Sequence, residues 1–485
     1  MTERRPNNAK GPSLARRLGV FDATMIVMGG IIGAGIFVNP SVVAQRVNTP
    51  ALVLCAWLIG GVIALIGAFV YAELAALRPR VGGQYAYLRD AYHPMVAFLY
   101  GWTLLLVVQT GGMAGAAIIF GRYFRELSGL AISEQFIATV ALAILTFVNC
   151  LGIRTGSNAQ SALMLLKLAA IALLIGVGLS LGGAPKIDQV HDQIRPGSLS
   201  GLAAAMVPVI FAYGGWQTAT FVSGEMRNPR RDLPRGLFIG VGGVIVVYVL
   251  VTYTCLHAPG IDRLANTTIP ASEVMRRAWG VGGAQVIAWG VAISTVGFLS
   301  QSILTAPRVY YAMARDGVFF KAVGHLDTRT RVPVVAIVLQ GAWAAIVALT
   351  GRYEQILNYV VTIDVLFFGL TGAALLVFRA RERRGEAEAE TVAIARVPWH
   401  PFTTGLFVVA CWSVAISTLA RYPQNAGVGV GILAIGALVY PLWQFRRPSK
   451  TRRHLPRWPA TWNDSTWARE GPRRCEFRFA PIGPP

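Results

Sequence analysis

The residues of this chain that are best placed to bind a small charged molecule are glycines inside apolar segments. One cluster lies at 29–35 and a second at 214–215, in the two halves of the chain. A helix in a membrane normally keeps every backbone group paired, because hydrocarbon offers no other hydrogen-bond partner. Glycine clusters let the backbone leave the helix, which is tolerated where the freed groups line a cavity or hold a ligand. Two such breaks at corresponding places point to the binding site of a secondary transporter.

A free amino acid suits such a pair of breaks, because it is a zwitterion and both charges need partners inside the bilayer. The N-terminus of a half-helix offers free N–H groups and a partial positive charge, so we expect the amides of Gly33, Ala34 and Gly35 to bind the carboxylate. The C-terminal end of a first half-helix offers carbonyls to an ammonium group. We assign these carbonyls to Ile31, Phe211, Ala212 and Gly214. The simpler interpretation is that the glycines only allow close helix packing.

Two ionisable side chains, Lys167 and Asp364, lie in the middle of apolar segments. A charge inside the membrane is costly and indicates a function by default. Lys167 could exchange a proton during transport, remain a permanently charged strut, or extend towards a membrane surface. Asp364 could tune side-chain selectivity, bind a proton or hydrogen-bond a neighbouring helix, and it does not by itself indicate a cationic substrate.

The composition indicates that most of the chain lies in lipid. Hydrophobic residues make up 54% and charged residues 14%, whereas soluble domains carry about 25% charged residues. A span needs roughly 20 apolar residues. Twelve segments qualify, near 18–46, 51–77, 94–121, 133–152, 158–181, 201–223, 235–258, 280–312, 332–350, 355–378, 400–419 and 426–444.

The net charge of +21 would suit nucleic acid, but its placement gives another explanation. With twelve spans, about three quarters of the 44 Lys and Arg fall on one side, which is the positive-inside bias. Both termini are therefore expected in the cytoplasm, and no nucleic-acid partner is expected. The basic loops and the tail 446–485 fit anionic lipid headgroups, and the tail lacks periodicity and is expected to be disordered.

The predicted fold is an all-α integral membrane protein of twelve transmembrane helices, of which spans 1 and 6 are discontinuous. Because spans 1 and 6 carry the two breaks, spans 6–10 repeat spans 1–5 with inverted topology. Repeat one covers about 18–181, repeat two about 201–378, and spans 11 and 12 about 400–444. The transporter domain is therefore 18–445, between a cytoplasmic segment, 1–17, and the tail.

Five stretches carry a resemblance to a known family. They are GIIGAGIF at 30–37; YAEL at 71–74 followed by Pro79 and by GGQYAY at 82–87; FAYGGW at 211–216; GEMRNPRRDLPRG at 224–236; and RVYYAMARDG at 308–317. In this order the chain resembles the amino acid–polyamine–organocation (APC) transporters, and within them the L-type, cationic and bacterial amino acid permeases. The resemblance covers roughly 14–445 and implies the LeuT-type five-plus-five inverted repeat and transport of alpha-amino acids.

The resemblance also implies roles for single residues. Phe211 and Trp216 flank the second break and are the expected gate, since the family's aromatic gate matches Phe211. The family's sodium-independent members carry a lysine at the position of Lys167, whose amine takes the place of a sodium ion between spans 1, 5 and 8. Its expected partners are a carbonyl near Met28 and the hydroxyl of Ser294, with Thr295 nearby. Proton-coupled symport and amino acid exchange both remain open.

Two departures from the family pattern bear on partners and affinity. Ala34 stands where many L-type members have serine, so one hydroxyl contact to the carboxylate is missing. The loop 123–134 has no cysteine, whereas animal members linked to a heavy chain use one there. No disulfide-linked heavy chain is therefore expected, and the localisation expected is a bacterial inner membrane.

We therefore predict a secondary transporter of amino acids that works by alternating access. No enzyme activity, metal or cofactor is expected, because the sequence lacks a GxxxxGK[ST] loop, a metal cluster and triad spacing. The alternative is a membrane amino acid sensor that uses the same pocket. Deleting 446–485 separates the two, since a transporter would still move substrate and a sensor would lose its output.

Overall fold

The computed structural model describes residues 18–47, 49–78, 82–151, 156–182, 198–327, 332–385 and 396–445, with the backbone alone at 156–162, 198–199 and 442–445. The expectations for the segment 1–17 and the tail 446–485 concern residues outside this description. The chain forms two units, of which the first is Met1–Tyr440. In the second unit, Pro441–Pro485, the described residues 441–445 complete the last helix.

The described residues form helices joined by short turns, with one isolated β-bridge between Leu18 and Met226. The helices of the first half are α1 Val20–Ile31, α2 Asn39–Arg46, α3 Pro50–Leu77, α4 Gln84–Ala91, α5 Pro94–Thr103, α6 Gln109–Ser128, α7 Glu134–Cys150 and α8 Gly156–Ser180. Those of the second half are α9 Ser198–Tyr213, α10 Thr218–Phe221, α11 Pro229–His257, α12 Ile261–Asn266, α13 Pro270–Thr305, α14 Pro307–Arg315, α15 Val334–Thr350, α16 Tyr353–Arg383, α17 Phe402–Arg421 and α18 Pro423–Phe445. A π-helical segment, Leu104–Val108, joins α5 to α6.

Local sequence signals set the starts of several helices. Pro50 and Pro229 occupy the first turn of α3 and α11, where a missing N–H costs no helical hydrogen bond. Thr49 and Ser133 accept backbone N–H bonds and cap α3 and α7. Between these starts the chain is apolar, so the long stretches continue as helices.

The surface of the bundle is apolar enough for lipid. Nine helical segments in the described part are long and apolar enough to cross a membrane, and α1, α7 and α15 are shorter apolar helices. Large apolar side chains such as Ile239, Val246, Trp289 and Ile416 remain more than half exposed. Such a surface would promote association in water, but it suits hydrocarbon. The described part is therefore an all-helical membrane protein.

The bundle brings the two glycine-rich segments together. α11 packs against α1 and α3, α9 packs against α2 and α3, and α13 packs against α6 and α8. A Cβ atom at Gly236 of α11 would lie 2.5 Å from the Cβ of Ala23, so α1 and α11 are in close backbone contact. We call the end of the bundle that carries Leu18 the first face, and the end that carries Arg46 the second face.

Candidate substrate site

The first glycine cluster lies at an interruption between two helices. α1 ends at Ile31, a 3₁₀ turn covers Gly35–Phe37, and α2 begins at Asn39. The Gly33 amide donates to the Ile31 carbonyl over 2.8 Å. Within the described residues, the amides of Ala34 and Gly35 have no hydrogen-bond partner. The break therefore leaves two N–H groups free at the start of the second half.

The second glycine cluster lies at a similar interruption. α9 ends at Tyr213, and α10 begins at Thr218. Between them Gly215 has φ +112°, a conformation that L side chains rarely adopt. Its amide donates to Gln217 Oε1 over 2.9 Å, and its carbonyl accepts from Thr218 Oγ1 over 2.7 Å. The turn is thus held by its own side chains.

The two breaks are in direct contact. A Cβ atom at Gly30 would lie 2.7 Å from the Gly215 carbonyl oxygen, and one at Gly215 would lie 2.0 Å from the Gly30 oxygen. The Tyr248 hydroxyl lies 2.9 Å from the Ile31 carbonyl oxygen and 3.2 Å from that of Ala212. Glycine is required at this contact because any side chain would separate the two backbones. Tyr248 then fixes the carbonyls of both breaks relative to one another.

A small cavity of about 80 Å³ opens beside this contact. All seven residues predicted to bind substrate line it, namely Ile31, Gly33, Ala34, Gly35, Phe211, Ala212 and Gly214. Neutral polar residues on three helices and on the turn before α10 also line it, namely Gln109, Gln217, Thr218, Gln301, Ser302 and Thr305. Asp364 is the one ionisable residue among the described lining residues. The cavity can therefore hold a small polar molecule against free backbone groups.

The two predicted gate residues occupy different places. Phe211 lines the cavity, and its ring meets that of Tyr353 edge-on at 6.2 Å. Trp216 is not among the lining residues and is only 2% exposed. It stacks on Phe368 at 4.9 Å and meets Tyr71 edge-on at 4.6 Å. Of the two, Phe211 alone is placed to touch a bound molecule.

Lys167 is buried in α8, and its ammonium group donates to the carbonyl of Ile32. The expected acceptor is a carbonyl near Met28, and the Met28 carbonyl itself is already bonded to the Ile32 amide at the end of α1. The Ile32 carbonyl lies beyond the last helical residue and is free to bind the ammonium. Ser294 is fully buried, and its hydroxyl has no hydrogen-bond partner among the described residues. The Thr295 hydroxyl donates to its own helix, at Val291.

Two tyrosines close the second face of the site. The Tyr353 hydroxyl of α16 donates to Asn39 Oδ1 over 2.9 Å, and Asn39 Nδ2 donates to the Pro208 carbonyl over 2.9 Å. The Tyr123 hydroxyl of α6 donates to the Phe37 carbonyl over 3.2 Å. Tyr353 also lines an outer cavity, so it separates that cavity from the inner one.

Backbone hydrogen bonds and ion pairs close the first face. The Leu18 amide donates to the Glu225 carbonyl, and the Arg227 amide donates to the Leu18 carbonyl, so the start of α1 is joined to the segment after α10. The Glu225 carboxylate forms an ion pair of 3.0 Å with Arg308. At the same face the buried Glu73 pairs with Arg379 at 2.6 Å.

Sequence reasoning missed several residues of the site. They are Asn39, Tyr248, Phe298 and Tyr353, together with the Gly30–Gly215 contact. A signal was available for Tyr248, which stands alone in the apolar run VIVVYVLV. A buried hydroxyl normally needs a hydrogen-bond partner, so a lone tyrosine in such a run indicates a buried polar contact.

Comparison with known proteins gives a consistent result. A family model described as amino acid permease matches residues 18–442. The chain is 28% identical to mouse large neutral amino acids transporter small subunit 2, over 90% of this chain and 83% of that one. It is 29% identical to the serine/threonine exchanger SteT of Bacillus subtilis, over 88% and 96%. It is 30% identical to human b(0,+)-type amino acid transporter 1, over 76% and 77%.

Proposed function

The chain belongs to the amino acid permease family, within the APC superfamily, and on that premise we propose that it carries alpha-amino acids across a bacterial inner membrane by alternating access. Its relatives are transporters rather than enzymes. We take the nine long apolar segments and the three shorter ones of the described part as its twelve spans. α1 with α2 forms span 1, and α9 with α10 forms span 6 of an inverted five-plus-five repeat of the LeuT type. The excess of basic residues in the segments assigned to the first face supports a cytoplasmic placement of that face and of both termini.

The observation that carries this proposal is the cavity between the two breaks. The free amides of Ala34 and Gly35 stand at the start of a half-helix, and they suit a carboxylate. The end of α9 contributes the carbonyls of Phe211 and Ala212, which suit an ammonium group. Both groups of an amino acid can thus be bound in one place while Phe211 closes over it.

Lys167 supports sodium-independent transport. Its ammonium donates to the Ile32 carbonyl at the first break, so it can take the role that a bound monovalent cation would have there. Ser294 lies on α13, which packs against α8, the helix of Lys167. Since the ammonium is already bonded to Ile32 O, we favour the role of a fixed strut over that of a proton carrier. A fixed ammonium carries no proton across the membrane, so we propose exchange of one amino acid for another rather than proton symport. The relative SteT is named an exchanger.

We further propose that the chain works without a disulfide-linked second chain. The described cysteines Cys55, Cys150, Cys255 and Cys411 are free thiols. They lie within helices, and the loop after α6 carries no thiol that could reach a partner outside the membrane. Full transport by the purified chain alone in lipid vesicles would support this.

The test is uptake of a panel of radiolabelled amino acids into proteoliposomes. We expect uptake when unlabelled amino acid is enclosed, and little uptake without it, with no effect of sodium. Uptake driven by a pH gradient into empty vesicles would instead show proton symport. Binding of amino acids without any uptake would favour a sensor.

Lys167→Met tests the strut within the same assay. The variant leaves the Ile32 carbonyl unpaired in the break, so exchange should fall by at least about tenfold. Lys321→Met is the matched control, since it removes an exposed lysine at the first face and should leave exchange unchanged. Wild-type exchange by Lys167→Met would refute the role of the ammonium.

A further inference from the structure

Asp364 is a carboxylate without a partner in the middle of the bundle. It lies on α16, lines the cavity and is partly exposed to it. Among the described residues no hydrogen bond or ion pair reaches it, and the other lining residues are uncharged. An ionised carboxylate at this depth is costly unless a positive group meets it. The cavity therefore has a place for a cation that the protein does not itself supply.

The position of Asp364 indicates which cation this is. Its Oδ2 atom lies 3.8 Å from where a Cβ of Gly214 would be, directly after the last residue of α9. The end of a helix carries a partial negative charge, so the carboxylate and the carbonyls of α9 form one negative region. The free amides of Ala34 and Gly35 line the same cavity at the first break. The cavity thus has a negative region at the end of α9 and a positive region at the first break.

Lys167 does not neutralise this carboxylate. Its ammonium donates to the Ile32 carbonyl, and it is not among the lining residues. The wall around the two polar regions is largely apolar, with side chains such as Val108, Ala116 and Ile119. A substrate with a cationic side chain would therefore have no second anionic partner among the described residues that line the cavity.

We propose that Asp364 is the counter-ion of the substrate's alpha-ammonium group, and that the cavity consequently selects amino acids with uncharged side chains. This inference rests on the proposed function. The alpha-carboxylate binds the amides of Ala34 and Gly35, and the alpha-ammonium binds between Asp364 and the carbonyls that end α9. The side chain of the substrate contacts the apolar wall that includes Val108, Ala116 and Ile119.

Asp364→Asn tests the inference, since it removes the charge and keeps the shape. In the exchange assay we expect KM to rise at least about tenfold for every transported amino acid, by similar factors for alanine and leucine. In the wild type, amines that lack the carboxylate should compete with uptake better than acids that lack the amine. In Asp364→Asn this preference should disappear. Asp262→Asn, on the exposed helix α12, is the matched control and should leave KM unchanged.

Three results would overturn the inference. One is a loss of affinity confined to lysine and arginine, which would make Asp364 a side-chain site. Another is an unchanged KM with an altered pH dependence, which would make it a proton site. The third is no change at all. If the asparagine variant does not reach the membrane, Asp364→Ser and Asp364→Glu give the same comparison, and only the charged Glu variant should keep part of the affinity.

Failure of the proposed function gives a different result from failure of the inference. If no amino acid is bound or exchanged by the wild type, the proposed function is wrong. If the wild type exchanges amino acids and Asp364→Asn behaves identically, only the role of Asp364 is wrong.

Discussion

At the scale of single residues, the contact between Gly30 and Gly215 determines the site. Each glycine meets the carbonyl of the other, at distances that no Cβ atom can occupy. The contact holds the free amides of the first break beside the carbonyls of the second. In the proposed function, the carboxylate and part of the ammonium contact would therefore depend on backbone atoms that a side-chain substitution elsewhere would not remove.

Gly215→Ala should abolish exchange. Its methyl group would lie 2.0 Å from the Gly30 oxygen, and φ of +112° is strained for alanine, so at least about 1–3 kcal/mol of destabilisation is expected at the break. The measurements are exchange in proteoliposomes and a melting curve of the purified protein. Gly242→Ala is the control, because nothing lies within 4 Å of that position on α11 and it should behave as wild type. Exchange by Gly215→Ala at the wild-type rate would contradict the geometry.

The sequence predicted which residues line the cavity better than it predicted their contacts. The glycine clusters identify the residues at 31–35 and 211–214, because broken helices inside a membrane must expose backbone to something polar. The pairing of Gly30 with Gly215 joins residues in different spans, and no local pattern encodes it. The shift of the Lys167 acceptor from Met28 to Ile32 has a similar cause, since the end of α1 depends on tertiary contacts.

At the scale of elements, α16 and α2 hold the second face closed. Tyr353 begins α16, Asn39 begins α2, and Asn39 also binds the Pro208 carbonyl of α9. The hydrogen bonds thus join one long helix to the outer halves of both broken spans. Movement of α16 away from this pair would open the cavity to the outer one that Tyr353 also lines.

Tyr353→Phe should weaken closure of the second face. It keeps the ring against Phe211 and removes the hydrogen bond to Asn39, which is worth about 1 kcal/mol, so the open form should be several-fold more populated. The measurement uses a protein without its native cysteines, with one cysteine placed at Ala116, which lines the inner cavity. An impermeant thiol reagent added at the second face should label this cysteine several-fold faster in the Tyr353→Phe variant. Tyr422→Phe, in the outer cavity, is the control. An unchanged labelling rate in Tyr353→Phe would show that this hydrogen bond does not hold the face closed.

Element lengths were accessible from the sequence, but their internal irregularities were not. Apolar runs bounded by Pro and by capping residues predict the spans, as for α3 and α11. The apolar runs do not mark the π-helical segment Leu104–Val108 or the kink at Trp279 and Gly280 within α13. Of the residues in these two stretches, only the glycine at 280, which has a positive φ, is of a type that indicates an irregular backbone.

At the scale of the molecule, the two faces are closed by different kinds of contact. Over the site, the second face uses neutral hydrogen bonds of tyrosine, with ion pairs such as Arg122–Glu134 farther out. The first face uses a backbone bridge at Leu18 and ion pairs. Alternating access requires that each face open while the other stays closed. In the proposed orientation, the charges that produce the positive-inside bias therefore include groups, such as Arg308, that are placed to close the cytoplasmic side.

Glu225→Gln should shift the molecule towards opening at the first face. The Glu225–Arg308 pair is 3.0 Å long and its arginine is only 6% exposed, so its loss should matter more than that of a surface pair. Because fewer molecules would present the site outward, KM measured at the second face should rise at least about threefold, while KM measured at the first face should not rise. The exchanged pair Glu225→Arg with Arg308→Glu should recover part of the effect. Glu382→Gln, whose more exposed carboxylate pairs with Arg396 and Arg379 at the same face, should change neither value, since Arg379 keeps its pair with Glu73. Equal increases at both faces would indicate general damage to the site, and no increase would mean that the backbone bridge alone closes the cytoplasmic side.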